Sequence, residues 1–155
     1  MVVVTGGASV GERDFARAMF EDCGLELAFS KVEMKPGKPV WMGRALGKMV
    51  VGLPGNPTSA LVTARLFLAP LLAGLTGLDP KTALAWRREA LAAALPATGD
   101  RETFYRAGRG PKGLEPFSDQ DSGSQMVLAQ ADVLVRRRPG APAAKAGEAV
   151  EILDF

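Results

Sequence analysis

The sequence predicts an α/β domain over residues 1–77, followed by a smaller, β-rich domain over residues 78–155. The first domain is predicted because residues 2–23 and 48–77 each show a strand, a glycine-rich turn and an amphipathic helix in succession. The second is predicted because, after Leu78-Asp79-Pro80, short apolar stretches alternate with turns rich in Gly, Pro, Asp and Ser. With 155 residues, the chain is long enough for two small domains.

The first unit starts with three β-branched residues, Val2 to Val4, which predict a short, fully buried strand. Gly6, Gly7 and Gly11 follow, and apolar residues at helical spacing from Phe15 to Cys23 predict an amphipathic helix. This order places free backbone N–H groups and the positive end of a helix dipole at the carboxyl tip of the strand. The turn is therefore a predicted anion-binding site.

We compared this turn with three other glycine-containing motifs. Its spacing is not G-x-G-x-x-G, and Glu12 stands where a P-loop has its lysine. Gly7 to Gly11 does match G-x-S-x-G, which would make Ser9 a nucleophile. The chain has no histidine, so a Ser-His-Asp relay cannot be built from it. A turn that merely links strand to helix stays open as the plain structural alternative.

The second unit repeats the arrangement of the first. Val40–Gly43 and Lys48–Leu53 predict two strands joined by a glycine-containing turn. Asn56 suits a helix N-cap and Pro57 the first helical position. Apolar residues then recur at i, i+3, i+4 and i+7 up to Leu75, which predicts a core-facing helix. Pro70 is expected to kink this helix or to tighten its last turns. A second helix N-terminus is thus expected at the same edge of the sheet.

The composition narrows the possible classes of protein. The chain is 47% hydrophobic and 23% charged, which is typical of a globular domain, and its charges are too balanced for a nucleic-acid surface. One cysteine and no histidine exclude a disulfide framework and argue against structural zinc. Thr58, Ser59, Thr63 and Arg65 interrupt the long helix, so we expect no membrane span. Without a predicted signal peptide, we expect a cytoplasmic protein.

A stiff, irregular loop, Lys35-Pro36-Gly37-Lys38-Pro39, separates the two units. It carries two ammonium groups, which could hold an oxyanion as point charges. The alternative is a solvated turn with two exposed lysines.

The second half predicts mostly short strands: Glu102–Gly108, Met126–Val135 and Gly147–Phe155. Residues 82–95 are rich in Ala and Leu, and propensity alone predicts a helix there. Arg136–Gly140 predicts a basic, solvated turn.

Three motifs together resemble the molybdopterin molybdenumtransferase family, the MoeA and gephyrin proteins of molybdenum cofactor synthesis. They occur in family order and at family-like spacing at residues 5–14, 35–39 and 52–57. Looser marks of the family's C-terminal domain are residues 104–106, 122–123 and 147–150. The resemblance implies an α/β fold in which a partial MogA-like, three-layer, parallel-sheet domain precedes a small C-terminal β-barrel. It also implies β-structure over residues 82–95, which we follow.

The resemblance implies that the protein inserts molybdenum from molybdate into adenylylated molybdopterin, releases AMP, requires Mg²⁺ and forms a homodimer. Asp14 matches the family's acidic residue, with a catalytic and Mg²⁺-binding role. Lys35 and Lys38 match its oxyanion lysines, and Arg106 and Ser122 match positions that close on molybdate. The implied substrate-binding positions are Gly6, Gly7, Ser9, Gly11, Lys35, Pro36, Lys38, Pro54, Gly55, Asn56, Arg106 and Ser122.

The sequence also departs from the family pattern. Met126 and Val127 stand where members usually have serines, and Asp132 stands where they usually have Asn. Members have further elements and acidic residues before the Thr5 motif, so we expect this chain to carry only part of the site and, alone, to be inactive. The alternatives are a non-catalytic module that binds molybdopterin or a nucleotide, and a scaffold module. We expect self-association, because the first strand leaves a sheet edge uncovered.

Overall fold

The computed structural model of the chain describes residues 1–7, 15–121 and 123–155. The strands in those ranges are β1 (Val2–Thr5), β2 (Glu26–Ser30), β3 (Met34–Lys35), β4 (Trp41–Ala45), β5 (Lys48–Leu53), β6 (Arg87–Ala90), β7 (Glu102–Gly110), β8 (Gly113–Pro116), β9 (Val133–Arg137) and β10 (Ala149–Asp154). The helices are α1 (Phe15–Glu21), α2 (Pro57–Thr63), a π-helical segment (Ala64–Leu68), α3 (Ala69–Leu75), a 3₁₀ helix (Pro80–Leu84) and α4 (Gln125–Gln130). The predicted site residues Ser9, Gly11, Asp14 and Ser122 lie outside the described residues.

The first sheet has the strand order β1-β5-β4-β2. Strand β1 runs parallel to β5, with Val2 opposite Val50 and Thr5 opposite Leu53. Strand β4 is antiparallel to both β5 and β2, so the sheet is mixed. The α/β class is confirmed, and the carboxyl tips of β1 and β5 meet at one edge of this sheet, as the two strand–turn–helix units predict.

The prediction that β1 is fully buried is wrong. Val2 is 40% exposed and Val3 38%. Helix α1 has no buried residue, and its Phe15 and Met19 are 64% and 69% exposed. In the described part of the chain, β1 pairs only with β5, so nothing there covers the outer side of the strand.

The long helix runs from Pro57 to Leu75 and contains one π-helical segment before Pro70. Within that segment, the N–H of Ala69 donates to the carbonyl of Ala64, five residues back. Pro70 has no N–H and its ring crowds the carbonyl four residues before it, so a widened turn there relieves the clash. By length and apolar composition the helix could cross a membrane, a test that core helices also pass. The absence of a membrane span therefore stays a prediction.

The second sheet has the order β3-β7-β9-β10-β6, and β8 pairs with β7. An isolated bridge joins Leu91, just after β6, to Leu114 of β8, so the two edges of the sheet approach each other. The apolar residues that fill the enclosed space are almost completely buried; among them are Leu91, Leu114, Val133 and Ile152. The sheet is thus strongly curled, and one bridge rather than a ladder joins its edges.

Two regions of the second half differ from what local pattern predicts. Residues 82–95 contain the end of the 3₁₀ helix and strand β6. The β-structure implied by the family resemblance is therefore confirmed, and the helix that propensity favours is not formed. The single strand predicted at Met126–Val135 is wrong. The chain forms α4 there and β9 begins only at Val133. Within this stretch, the strand residues Val133 to Val135 are buried, whereas Met126 in the helix is 74% exposed.

One apolar core joins the two halves of the chain. It combines Val51 and Val62 from the first half with Phe104, Leu134 and Leu153 from the second. Strand β3 also leaves the first half to pair with β7, with Met34 opposite Glu102. These contacts hold the loop that follows β3 against the second sheet, where the candidate site lies.

Candidate functional site

A cavity of about 580 Å³ lies where the two halves of the chain meet. Its lining comes from residues 34–39, Ser59, Arg101, Gln120 and Asp121. We call it the lysine cavity, because Lys35 and Lys38 both line it. The predicted lysine loop, the start of the long helix and a turn of the second half therefore come together at one place.

The lysine loop is held by backbone hydrogen bonds and by close packing on the long helix. The N–H of Val32 donates to the carbonyl of Lys38 at 2.9 Å, and that of Val40 to Gly37 at 3.1 Å. The Lys35–Pro36 peptide is cis. Gly37 has φ +111°, and a Cβ there would lie 2.4 Å from Cγ2 of Thr63. Only glycine fits this position, so the loop depends on it for its approach to the helix.

The two lysines have different surroundings. The ammonium of Lys38 lies 3.1 Å from Oε1 of Glu33, and the two side chains are 47% and 64% exposed. Lys35 is exposed, and it forms no ion pair with a carboxylate in the described ranges. Because exposed ion pairs contribute little, an entering dianion can compete with Glu33 for Lys38. The positions fit the predicted oxyanion role, which stays a prediction.

The start of α2 contributes polar groups to the same cavity. Asn56 caps the helix, its Oδ1 accepting from the N–H of Ser59 at 3.1 Å, as predicted. Ser59 lines the cavity, and the neighbouring Thr58 is fully buried, with no hydrogen-bond partner for its hydroxyl among the described residues. The positive end of the 19-residue helix therefore lies beside the lysines.

The glycine turns lie at the carboxyl tips of β1 and β5. The N–H of Gly6 donates to the carbonyl of Leu53 at 3.1 Å, and a Cβ on Gly55 would lie 3.1 Å from Cα of Gly6. Pro54 is buried, whereas Gly55 is exposed. Gly7 has φ +63°, and a Cβ there would lie 2.8 Å from that of Ala16. The described residues of these turns, Gly6, Gly7, Pro54 and Gly55, do not line the lysine cavity.

Arg106 lies behind the cavity wall rather than in it. Its side chain is 1% exposed, and Nη2 donates to the carbonyl of Asp121 at 3.2 Å. Burial lowers the pKa of Arg106, and the carboxylates of Asp119 and Asp121 oppose this shift. Its Nε is buried with no hydrogen-bond partner in the ranges that the structure describes. The predicted contact of Arg106 with substrate stays a prediction.

Gln120 fixes the turn that carries Asp121 onto strand β7. Its Oε1 accepts from the N–H of Arg106 at 3.0 Å, and its Nε2 donates to the carbonyls of Arg106 and Phe117 at 2.9 and 2.8 Å. Sequence reasoning missed Ser59, Arg101, Gln120 and Asp121 as lining residues. Only Ser59 had a local signal, because it stands three residues after the N-cap.

The residues that depart from the family pattern also have defined places. Asp132 accepts a hydrogen bond from the N–H of Arg109 at 2.7 Å, outside the lysine cavity. Met126 points from α4 and is largely exposed. Neither lines the cavity, so neither alters its polarity directly.

The charges of the lysine cavity favour an anion. Among the lining residues that the structure describes, Lys35, Lys38 and Arg101 face a single carboxylate, Asp121. Within the described ranges, no group of three or more His, Cys, Asp or Glu could hold a metal ion. Mg²⁺ commonly uses one or two carboxylates and completes its shell with substrate phosphates and water. The predicted Mg²⁺ ligand, Asp14, lies outside the described residues, so its role stays a prediction.

Two family models match the chain in succession. A probable molybdopterin binding domain matches residues 1–74, and the MoeA C-terminal region (domain IV) matches residues 89–155. A molybdopterin molybdenumtransferase of Haemophilus influenzae is 47% identical over 77 residues, which are 50% of this chain and 19% of the relative. The molybdenum cofactor synthesis protein cinnamon of Drosophila melanogaster is 34% identical over 95% of this chain and 26% of its own length.

A solved structure of a MoeA protein has a fold similar to that of this chain. The crystal structure of the molybdopterin biosynthesis MoeA protein from Pyrococcus horikosii matches with a TM-score of 0.81 and 28% identity. The match covers 100% of this chain and 37% of that one. The chain thus spans well under half the length of these relatives. Their names do not support the alternatives of a non-catalytic binding module or a scaffold.

Proposed function

Because the chain belongs to the MoeA family of molybdopterin molybdenumtransferases, we propose that it supplies part of the site at which molybdenum from molybdate is inserted into adenylylated molybdopterin. The observation that carries the proposal is the lysine cavity, where two lysines of one loop and the start of a 19-residue helix converge. A tetrahedral dianion needs convergent positive charge and N–H donors of this kind.

The two parts of the site have different roles in this proposal. The lysine cavity holds molybdate, with Lys35 and Lys38 as point charges and Ser59 as a hydroxyl donor. The close approach of Gly6 and Gly55 brings the two strand-tip turns together, and their backbone N–H groups would bind the pterin phosphate. Arg106 supports the wall through Asp121 and Gln120.

Further parts of the proposal rest on the family. Asp14 would hold Mg²⁺ together with substrate phosphate oxygens, and the metal when bound would neutralise phosphate charge. Ser9, Gly11 and Ser122 complete the substrate contacts. The chain acts in the cytoplasm as a homodimer, does not bind nucleic acid and lies outside the membrane.

The test is calorimetric titration with tungstate, a molybdate analogue. We expect replacement of both Lys35 and Lys38 by Ala to weaken binding by about tenfold or more, since two charge-assisted contacts are lost. The control removes the same net charge elsewhere, by Ala at the exposed Lys48 and Lys112. Equal tungstate affinity in the two double variants would assign the lysine loop to the solvated-turn alternative.

A further inference from the structure

A second polar cavity, of about 410 Å³, lies on the second sheet and shares no lining residue with the lysine cavity. Its lining residues include Arg88, Arg136, Arg137 and Arg138, so we call it the arginine cavity. The sequence predicts a solvated basic turn at Arg136–Gly140. The structure corrects this, because Arg136 and Arg137 end strand β9 and Arg137 is only 6% exposed.

Two of the four arginines have carboxylate partners. Nε of Arg136 lies 2.5 Å from Oε1 of Glu102, and its guanidinium stacks 4.9 Å from the ring centroid of Trp86. Nη2 of Arg138 lies 3.5 Å from Oε2 of Glu151. Glu151 stands directly opposite both Arg136 and Arg88 in the strand register, but its ion pair is with Arg138.

The other two arginines meet only neutral acceptors in the described ranges. Nη2 of Arg88 donates to the carbonyl of Ala149 at 2.7 Å, and Nη2 of Arg137 donates to the carbonyl of Pro142. Nε of Arg137 is buried and has no hydrogen-bond partner among the described residues. A buried guanidinium that lacks a counter-charge is costly, and an anion in the cavity beside it would offset that cost.

We propose that the arginine cavity binds a small phosphate ester. Guanidinium groups match phosphate oxygens through two parallel N–H donors, which a carbonyl partner does not fully use. Glu148 and Glu151, the lining carboxylates, repel a bare polyanion but accept hydrogen bonds from hydroxyl groups, which suits a sugar phosphate. The volume lies within the range of small-molecule sites. This site is separate from the proposed molybdate site and does not depend on it.

The experiment uses NMR of the arginine Nε–Hε groups in the 155-residue chain. Inorganic phosphate and ribose 5-phosphate are titrated separately at constant ionic strength. We expect saturable shifts of the Arg88 and Arg137 signals, with ribose 5-phosphate binding several-fold more tightly than phosphate. The shifts should persist when Lys35 and Lys38 are both replaced by Ala, because the two cavities share no lining residue.

Arg88→Gln is the main variant, since Arg88 is exposed and its loss leaves the buried core intact. It should weaken ribose 5-phosphate binding by about tenfold, the loss of one charge-assisted hydrogen bond. Arg44→Gln, at an exposed position of β4, removes the same charge and should leave the affinity unchanged. Shifts that do not saturate, that vanish without Lys35 and Lys38, or that respond equally to both glutamine variants would overturn the proposal.

Discussion

The first and second sheets differ in how completely their strands are covered. In the second sheet, Val133, Leu134 and Val135 are fully buried, as is Ile152. In the first sheet, β5 and β4 supply buried residues, whereas Val2 and Val3 of β1 are more than a third exposed. The second sheet curls until Leu91 reaches Leu114, so it covers its own apolar face. Among the described residues, nothing covers the first sheet on the side of β1, which predicts unequal energetic costs for similar substitutions in the two sheets.

The largest expected effect is in the curled sheet. Ile152→Ala removes a fully buried side chain from its core and should lower the free energy of unfolding by about 2–5 kcal/mol. Val3→Ala in β1 should cost less than about 1 kcal/mol, because the side chain is 38% exposed. Urea unfolding of both variants measures the difference. Equal losses would mean that β1 is covered in solution, which would remove the contrast between the sheets.

The next effect concerns the lysine loop, where the two sheets meet. Gly37→Ala places a Cβ 2.4 Å from Thr63 at a positive φ, and should destabilise the protein by about 1–3 kcal/mol. Gly47→Ala is the matched control, since it has φ +70° with nothing within 4 Å of its Cβ. Gly47→Ala therefore measures the cost of a positive φ without a steric clash. A thermal shift no larger for Gly37→Ala than for Gly47→Ala would show that the loop does not pack on the helix as described.

The open side of the first sheet predicts self-association. Val3, Phe15 and Met19 expose apolar surface that a second copy of the chain could bury. Sedimentation velocity at micromolar concentration should show a dimer, and Val3→Lys should shift it toward monomer. Leu46→Lys, at an isolated exposed turn position, is the control and should leave the dimer intact. A monomeric wild-type chain would contradict the prediction.

The smallest expected effect on stability comes from removing an ion pair on the second sheet. A hydrogen bond from Arg109, at 2.6 Å, lowers the pKa of Asp154, and Arg87 and Arg65 act in the same direction. Its stabilising contribution is therefore present above the ordinary carboxyl pKa and is lost as the pH falls through the lowered value. Because both side chains are more than a third exposed, Asp154→Asn should cost less than about 1 kcal/mol at pH 7.

The pH dependence separates this effect from a merely local change. The difference between Asp154→Asn and wild type should shrink as the pH falls below 4, where the unfolded-state carboxyl is already protonated. Asp100→Asn, with a 94% exposed carboxylate, serves as the control and should change little at any pH. A constant difference for Asp154→Asn across that range would exclude the ion pair as its cause.

The sequence by itself determined the parts whose signals are local. The cap at Asn56, the helix to Leu75 and the two strand tips with their glycines follow from spacing and from positions that only a few residue types can occupy. The lysine loop was recognised for the same reason, since its prolines and glycine exclude regular structure.

Tertiary structure decided the rest, because burial depends on which elements come together. Met126 and Val133 belong to one mostly apolar stretch of the sequence, yet Met126 is exposed in a short helix and Val133 is buried in a strand. Propensity favours a helix at residues 82–95, but Leu91 and Leu95 are buried in the curled sheet as isolated bridge partners. Arg137 is buried although the next residue, Arg138, is exposed. Gln120 and Asp121 reach the lysine cavity because the two halves of the chain share one core. Such placements come from pairing between residues far apart in sequence, which no local pattern encodes.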